Sequence, residues 1–127
     1  MRTFLLLLFL CQACQQPEYS IEGGWRVDST LHYYNRFQYS EAGDEEIIYL
    51  YQADTLVISK ADEEKEMRYV IEKDTLKWLD AGRTQTLSVF QILSLDSRHM
   101  ILKEDLKPLY TQPNQQRYRQ YYFSRED

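Results

Sequence analysis

From residue 25 onward the chain is a run of short alternating segments divided by turn residues, with no helical stripe of useful length. Apolar and polar side chains alternating at period 2 mark a strand with one buried face, because successive side chains point to opposite sides. Residues 25–31 open the series: Trp25, Val27 and Leu31 share one face, Arg26, Asp28 and His32 the other. Hairpins follow. Ile47–Gln52 and Thr55–Lys60 flank Ala53-Asp54, the charged turn 61–66 leads to 67–73, and 75–80 follows Asp74. Residues 87–95 and 98–103 surround Asp96-Ser97, and Arg117–Arg125 ends the chain with Tyr118 and Tyr122 on one face, Tyr121 and Phe123 on the other. Asp54-Thr55-Leu56 recurs as Asp74-Thr75-Leu76, a turn aspartate followed by a strand-forming threonine, which marks hairpin geometry. The stretch 33–45 reads as a first long loop able to hold a strand extension, and 104–116, with two prolines, as a second.

Eight short strands without a helix predict an all-β fold, an antiparallel eight-stranded meander. Closing it into a barrel removes its exposed edges, and a barrel of eight strands is either filled by side chains or holds one small ligand. An open two-sheet sandwich fits the same pattern.

The segment before the fold has another character. MRTFLLLLFLCQAC sets one basic residue, Arg2, ahead of an apolar run from Phe4 to Leu10, then Ala13 and Cys14. Such a run is too short to span a bilayer, which takes about 20 residues of helix. Its order is that of a bacterial export signal. The expected organisation is a lipoprotein signal peptide at 1–13, a tether at 14–22 with lipid attachment at Cys14, and a barrel domain at 23–127. Both cysteines lie in this first segment, so the domain can make no internal disulfide. Without residues 1–13 the chain keeps 14 basic and 20 acidic residues, a formal charge of −6. That balance disfavours nucleic acid and makes a covalent lipid a better membrane tether than a basic patch.

Little in the sequence points to catalysis. His32 and His99 have no cysteine partner or paired ligand spacing, so no metal site is expected. No Gly-x-Ser-x-Gly elbow is present. The acidic neighbours Asp44-Glu45-Glu46 and Glu63-Glu64 read as solvated loop charges, since a glycosidase pair converges from separate elements. Neither catalytic residues nor a cofactor are expected.

Gly23-x-Trp25 at the first strand, the meander behind it and the signal ahead of it together resemble the lipocalin-like family, in particular the small lipocalin-like lipoproteins of Gram-negative bacteria. The resemblance implies a calycin-like barrel whose base is closed by Gly23 and Trp25, with an arginine of the last strand over the indole. Arg117, Arg119 and Arg125 are the candidates. Leu95-Asp96-Ser97 is a partial echo of the family's Thr-Asp-Tyr turn, and the long packing helix of its larger members has no counterpart. Gln15 after Cys14, in place of an aspartate, resembles sorting to the outer membrane.

Two roles follow. One is binding of a small apolar or amphipathic ligand, lined by Tyr49, Tyr51, Tyr69, Trp78 and Phe90 on the central strands. The other is contact with an envelope protein partner through Tyr33, Tyr34, Phe37, Tyr39 and Tyr110, with the barrel filled. A roomy interior favours the first role and a packed one the second.

Overall fold

The computed structural model describes residues 19–107 and 115–126; the signal segment, Cys14 and Tyr110 lie outside them. The described residues form nine strands: β1 (Gly23–Tyr34), β2 (Phe37–Ala42), β3 (Ile47–Gln52), β4 (Thr55–Lys60), β5 (Glu63–Glu72), β6 (Thr75–Leu79), β7 (Thr86–Leu95), β8 (His99–Asp105) and β9 (Arg117–Arg125). Consecutive strands from β3 to β9 pair antiparallel; β9 pairs with β1 and β1 with β3. That closes an eight-stranded antiparallel barrel, with β2 as one strand more.

The hairpin connections are as tight as the sequence suggests. Ala53, Ala61 and Lys73 take positive φ (51°, 52° and 55°), each just before the turn aspartate Asp54, Asp62 or Asp74. The two Asp-Thr-Leu segments play the same part, since Leu56 and Leu76, one step into β4 and β6, are both fully buried. Asp80 organises the β6–β7 connection by accepting the backbone N–H of Thr84 at 2.6 Å and of Gln85 at 2.9 Å. Asp96 does the same between β7 and β8, accepting from Arg98 at 2.8 Å and His99 at 2.7 Å.

Three expectations change. Most of the predicted first loop is a hairpin: β1 runs on to Tyr34, turns at Asn35-Arg36, and β2 returns along it from Tyr34↔Phe37 to Ser29↔Ala42. The acidic stretch is not all turn, because Glu63 to Glu66 pair with Lys60 to Val57 as the first part of β5. Their side chains stay exposed, so pairing needs no buried face there. Third, a β-bulge between Val27 and Ser29 shifts the register of β1 against β9. Beyond it Thr30 lies opposite Tyr121 and His32 opposite Arg119, while Leu31 is opposite Gln120. An extra residue reverses every later side chain. Leu31 therefore leaves the face it was expected to share with Trp25 and Val27, and His32 joins it.

The same bulge gives β2 its place. Before it, β1 pairs with β3 over three residues, Gly23↔Tyr51 to Trp25↔Tyr49; after it, β2 takes that side. Gly43 fastens the crossover, its N–H donating to the Asp28 carbonyl at 2.9 Å. A Cβ on Gly43 would collide with the Val27 carbonyl oxygen, so no larger residue fits against the bulge.

The core lies at the end where β1 starts and β9 finishes. Trp25, Tyr51, Leu56, Leu76, Met100 and Leu102 are fully buried there, with Phe90 and Phe123 nearly so. Forcing backbone apart for a methyl group costs about 1–3 kcal/mol, so Gly43→Ala should lower the unfolding free energy by that much. Ala61→Gly should raise it by about 0.5 kcal/mol, because glycine relieves the left-handed strain but loses more backbone entropy. Urea unfolding of both variants checks the two signs.

Candidate functional site

The barrel has two unlike ends. At its base the Trp25 indole donates to the Ile21 carbonyl at 2.8 Å, which pulls residues 19–22 across the opening as a strap. Arg125 covers the other side of the ring, its guanidinium 4.1 Å from the ring centroid. That guanidinium also donates to three carbonyls: Ser97 at 2.8 Å, Glu22 at 2.6 Å and Ser20 at 2.9 Å. Of the three candidate arginines, Arg125 is thus the one on the indole. Arg117 reaches the Lys107 carbonyl at 3.3 Å, and Arg119 lines the opposite end. Gly23 is required beside this cluster: its φ is +121°, and a Cβ would sit 2.7 Å from Arg125 Nη1.

Above the base the five central aromatics form one connected set. Tyr51 and Tyr69 meet edge-on at 4.9 Å, Trp78 donates to the Tyr51 hydroxyl at 3.1 Å, and Trp78 leans on Phe90 at 4.7 Å. Tyr49 lies 6.1 Å from Trp78 and edge-on to Phe123 at 5.5 Å. Tyr51, Tyr69 and Phe90 are buried in the core; Trp78 and Tyr49 pack against it from above. Of the five, only Tyr49 borders the open end of the barrel, and Tyr69 borders a groove at the base.

At the mouth a half-open cup of about 250 Å³ remains. Val27, Tyr49 and Tyr121 supply aromatic and aliphatic surface, while Thr30, His32, Arg119 and the carboxylates of Glu41 and Asp44 supply polar and charged groups. The Tyr121 hydroxyl donates to Glu104 Oε1 at 2.7 Å. Among the described residues Arg119 Nε is buried without a hydrogen-bond partner, while the Arg119 side chain also bonds the Tyr121 hydroxyl and works against the rise in that phenol's pKa. His32 stacks on Tyr39 at 4.6 Å and lies 3.0 Å from Glu41, which fixes the imidazole at the rim. Thr30, His32 and Tyr121 were not expected at a site, and Arg119 was expected only as a candidate for the indole. The bulge hid the first two, and arginine alternating with tyrosine in the last strand gave no sign of which face was lined.

Burial raises the pKa of Tyr51, and it pushes Tyr121 up to about 12, with the bond to Glu104 acting in the same direction. Burial, then the charge of Asp44, also raises Tyr49. These phenols stay neutral over the ordinary pH range. Among the described residues no group of three or more His, Cys, Asp or Glu side chains could hold a metal ion. The chain matches no family model, no curated protein and no solved structure.

Two outcomes are expected. Arg125→Ala should destabilise the fold by about 2 kcal/mol, in the range for hydrogen bonds to a charged group; Arg125→Lys should recover part of it, as thermal unfolding can read. In base the folded state holds the Tyr121 proton up to about pH 12, whereas an unfolded tyrosine releases it near pH 10. That contribution to stability is complete below pH 10 and is lost as pH rises toward 12. Tyr121→Phe should flatten this alkaline decline, measured by denaturant unfolding across pH 9–12.

Proposed function

We propose that this chain is a lipid-anchored lipoprotein of the cell envelope, of lipocalin-like kind, whose barrel mouth binds a small amphipathic ligand. The observation that carries the binding reading is the cup itself, where apolar Val27, Tyr49 and Tyr121 meet a buried guanidinium nitrogen of Arg119 that lacks an acceptor. A buried donor without an acceptor costs about 1–3 kcal/mol, which a ligand's anionic or carbonyl group would relieve. The filled base sets the size. At about 250 Å³ the cup is below the usual range for drug-sized ligands, so a compact molecule with one polar end fits better than a long acyl chain.

Lipid anchoring rests on the order of residues 2–14 and the absence of any later cysteine. By resemblance of Gln15 to sorting signals, the proposed location is the outer membrane. Arg125 over Trp25 beside Gly23 supports the lipocalin-like part. Neither catalysis nor a cofactor belongs to this reading.

Anilinonaphthalene sulfonate, an anionic apolar dye, tests the cup. Binding should be saturable, weaken about tenfold or more in Arg119→Met, as expected for a lost charged hydrogen bond, and vanish in Thr30→Phe with unfolding unchanged. Dye that fails to saturate, or binds both variants like the parent, refutes it. Mass spectrometry of the mature protein reads the anchor, and Cys14→Ser should release the domain from membranes.

A second reading has its own support. β2 is exposed along its whole length with Phe37 and Tyr39 at 79% and 64% exposure, a surface suited to an envelope protein partner. Tyr33 and Tyr34 are less available, stacked on Tyr118 at 4.5 Å and bonded to Gln115 at 2.6 Å. Cross-linking from β2 in intact envelopes should recover one partner if this face is used.

A further inference from the structure

A second and wider opening lies at the other end of the barrel, outside the fold's interior. A groove of about 710 Å³ runs between the strap at residues 19–22, the β5–β6 turn and the end of β7. Tyr19, Ile71 and Leu93, which border it, are 60%, 40% and 43% exposed. These are three of the seven large hydrophobic side chains left open to solvent among the described residues, gathered on one surface. The fold itself puts two of them there. Leu93 is the extra residue at the β7 bulge between Ile92 and Ser94, and so is turned out of the barrel. Ile71 has the same parity in β5 as the buried Met67 and Tyr69, but lies beyond the stretch that β4 covers, which ends at Arg68↔Thr55.

The geometry points to a membrane-docking face: the base of the barrel seats on a phospholipid bilayer, with Tyr19, Ile71 and Leu93 entering its interface. This rests on the lipid anchor proposed at Cys14. Four residues separate Cys14 from Tyr19, and even fully extended the five steps between them span only about 17 Å. Tyr19 borders the groove, so an anchor at Cys14 holds this end of the barrel, and not the mouth, against the lipid. The side chains suit that position. Tyrosine and branched aliphatic residues occupy the boundary between headgroups and acyl chains, where a ring can be wet at one tip and apolar along its body.

Charge is not the attraction. Lys73 at the groove is offset by Glu22 and Asp74, and an acidic domain gains nothing from an anionic surface. The apolar patch is too small to hold the protein alone, but the anchor keeps it at high effective concentration beside the bilayer, so weak contacts suffice. A consequence is orientation. With the base on the membrane, the cup and β2 face away from it.

The test uses the full lipidated chain in phosphatidylcholine–phosphatidylglycerol vesicles. Cys11 departs with the signal and a lipid caps Cys14, so a single introduced thiol takes a spin label. Leu93→Cys reports the base and Tyr39→Cys the mouth, each read by collisional accessibility to oxygen and to a water-soluble nickel complex. The label at 93 should be oxygen-rich and shielded from nickel by several-fold relative to the label at 39. Added salt should leave the difference intact, and Tyr19→Ser with Ile71→Ser should abolish it. Equal, aqueous behaviour at both positions overturns the docking face while leaving the anchor standing. A mature protein without lipid on Cys14 overturns the anchor, and the docking face with it.

Discussion

The register between β1 and β9 is the constraint on which the rest of this barrel depends. β1 pairs with three strands among the described residues, β9 along its length, β3 at its start and β2 at its end. Closure needs the β1–β9 seam, because without it the meander from β3 to β9 would present two long unpaired edges. The seam also sets Trp25 opposite Arg125. From that one pairing come the covered indole, the strap drawn over it by the Ile21 carbonyl, and the need for a glycine at position 23. A single guanidinium thereby ties the first strand, the strap and the β7–β8 turn together.

Closure and filling are separate matters, and here they are divided along the barrel axis. Large aromatic and aliphatic side chains meet near the base, where Trp25, Tyr51, Leu76 and Leu102 exclude solvent completely. Toward the mouth, inward positions pass to Thr30, His32, Glu104 and Arg119, which leave room and stay partly wet. A barrel from so short a chain can be solid at one end and shallowly open at the other, because side-chain volume alone decides where its interior closes.

The outline of this architecture was legible in the residues. Alternation located six of the eight barrel strands to within about two residues, since period-2 patterning and turn aspartates are local signals, while β1 ran three residues past the expected Leu31. β5 began four residues earlier than expected. Its Glu63–Glu66 stretch has two wet faces and so carries no alternation to read. β2 was hidden for a similar reason, as every one of its six residues is exposed. The cup was less legible still. Parity along β1 reverses at Asp28, and nothing in the Val27-Asp28-Ser29 stretch marks a bulge, which arises from where β3 leaves and β2 takes over.

What the sequence determined by itself was a helix-free chain of short hairpins, an aromatic stock large enough to fill a small barrel, and a first strand opened by glycine and tryptophan. Those properties are written in neighbouring residues, and local sterics and hydrophobic periodicity are enough to express them. Tertiary structure alone decided which arginine covers the indole, which face of β1 looks inward past Asp28, and which end of the barrel keeps a cavity. Each of these depends on register between strands far apart in the chain, where a shift of one residue exchanges inside for outside, and no local pattern records such a shift.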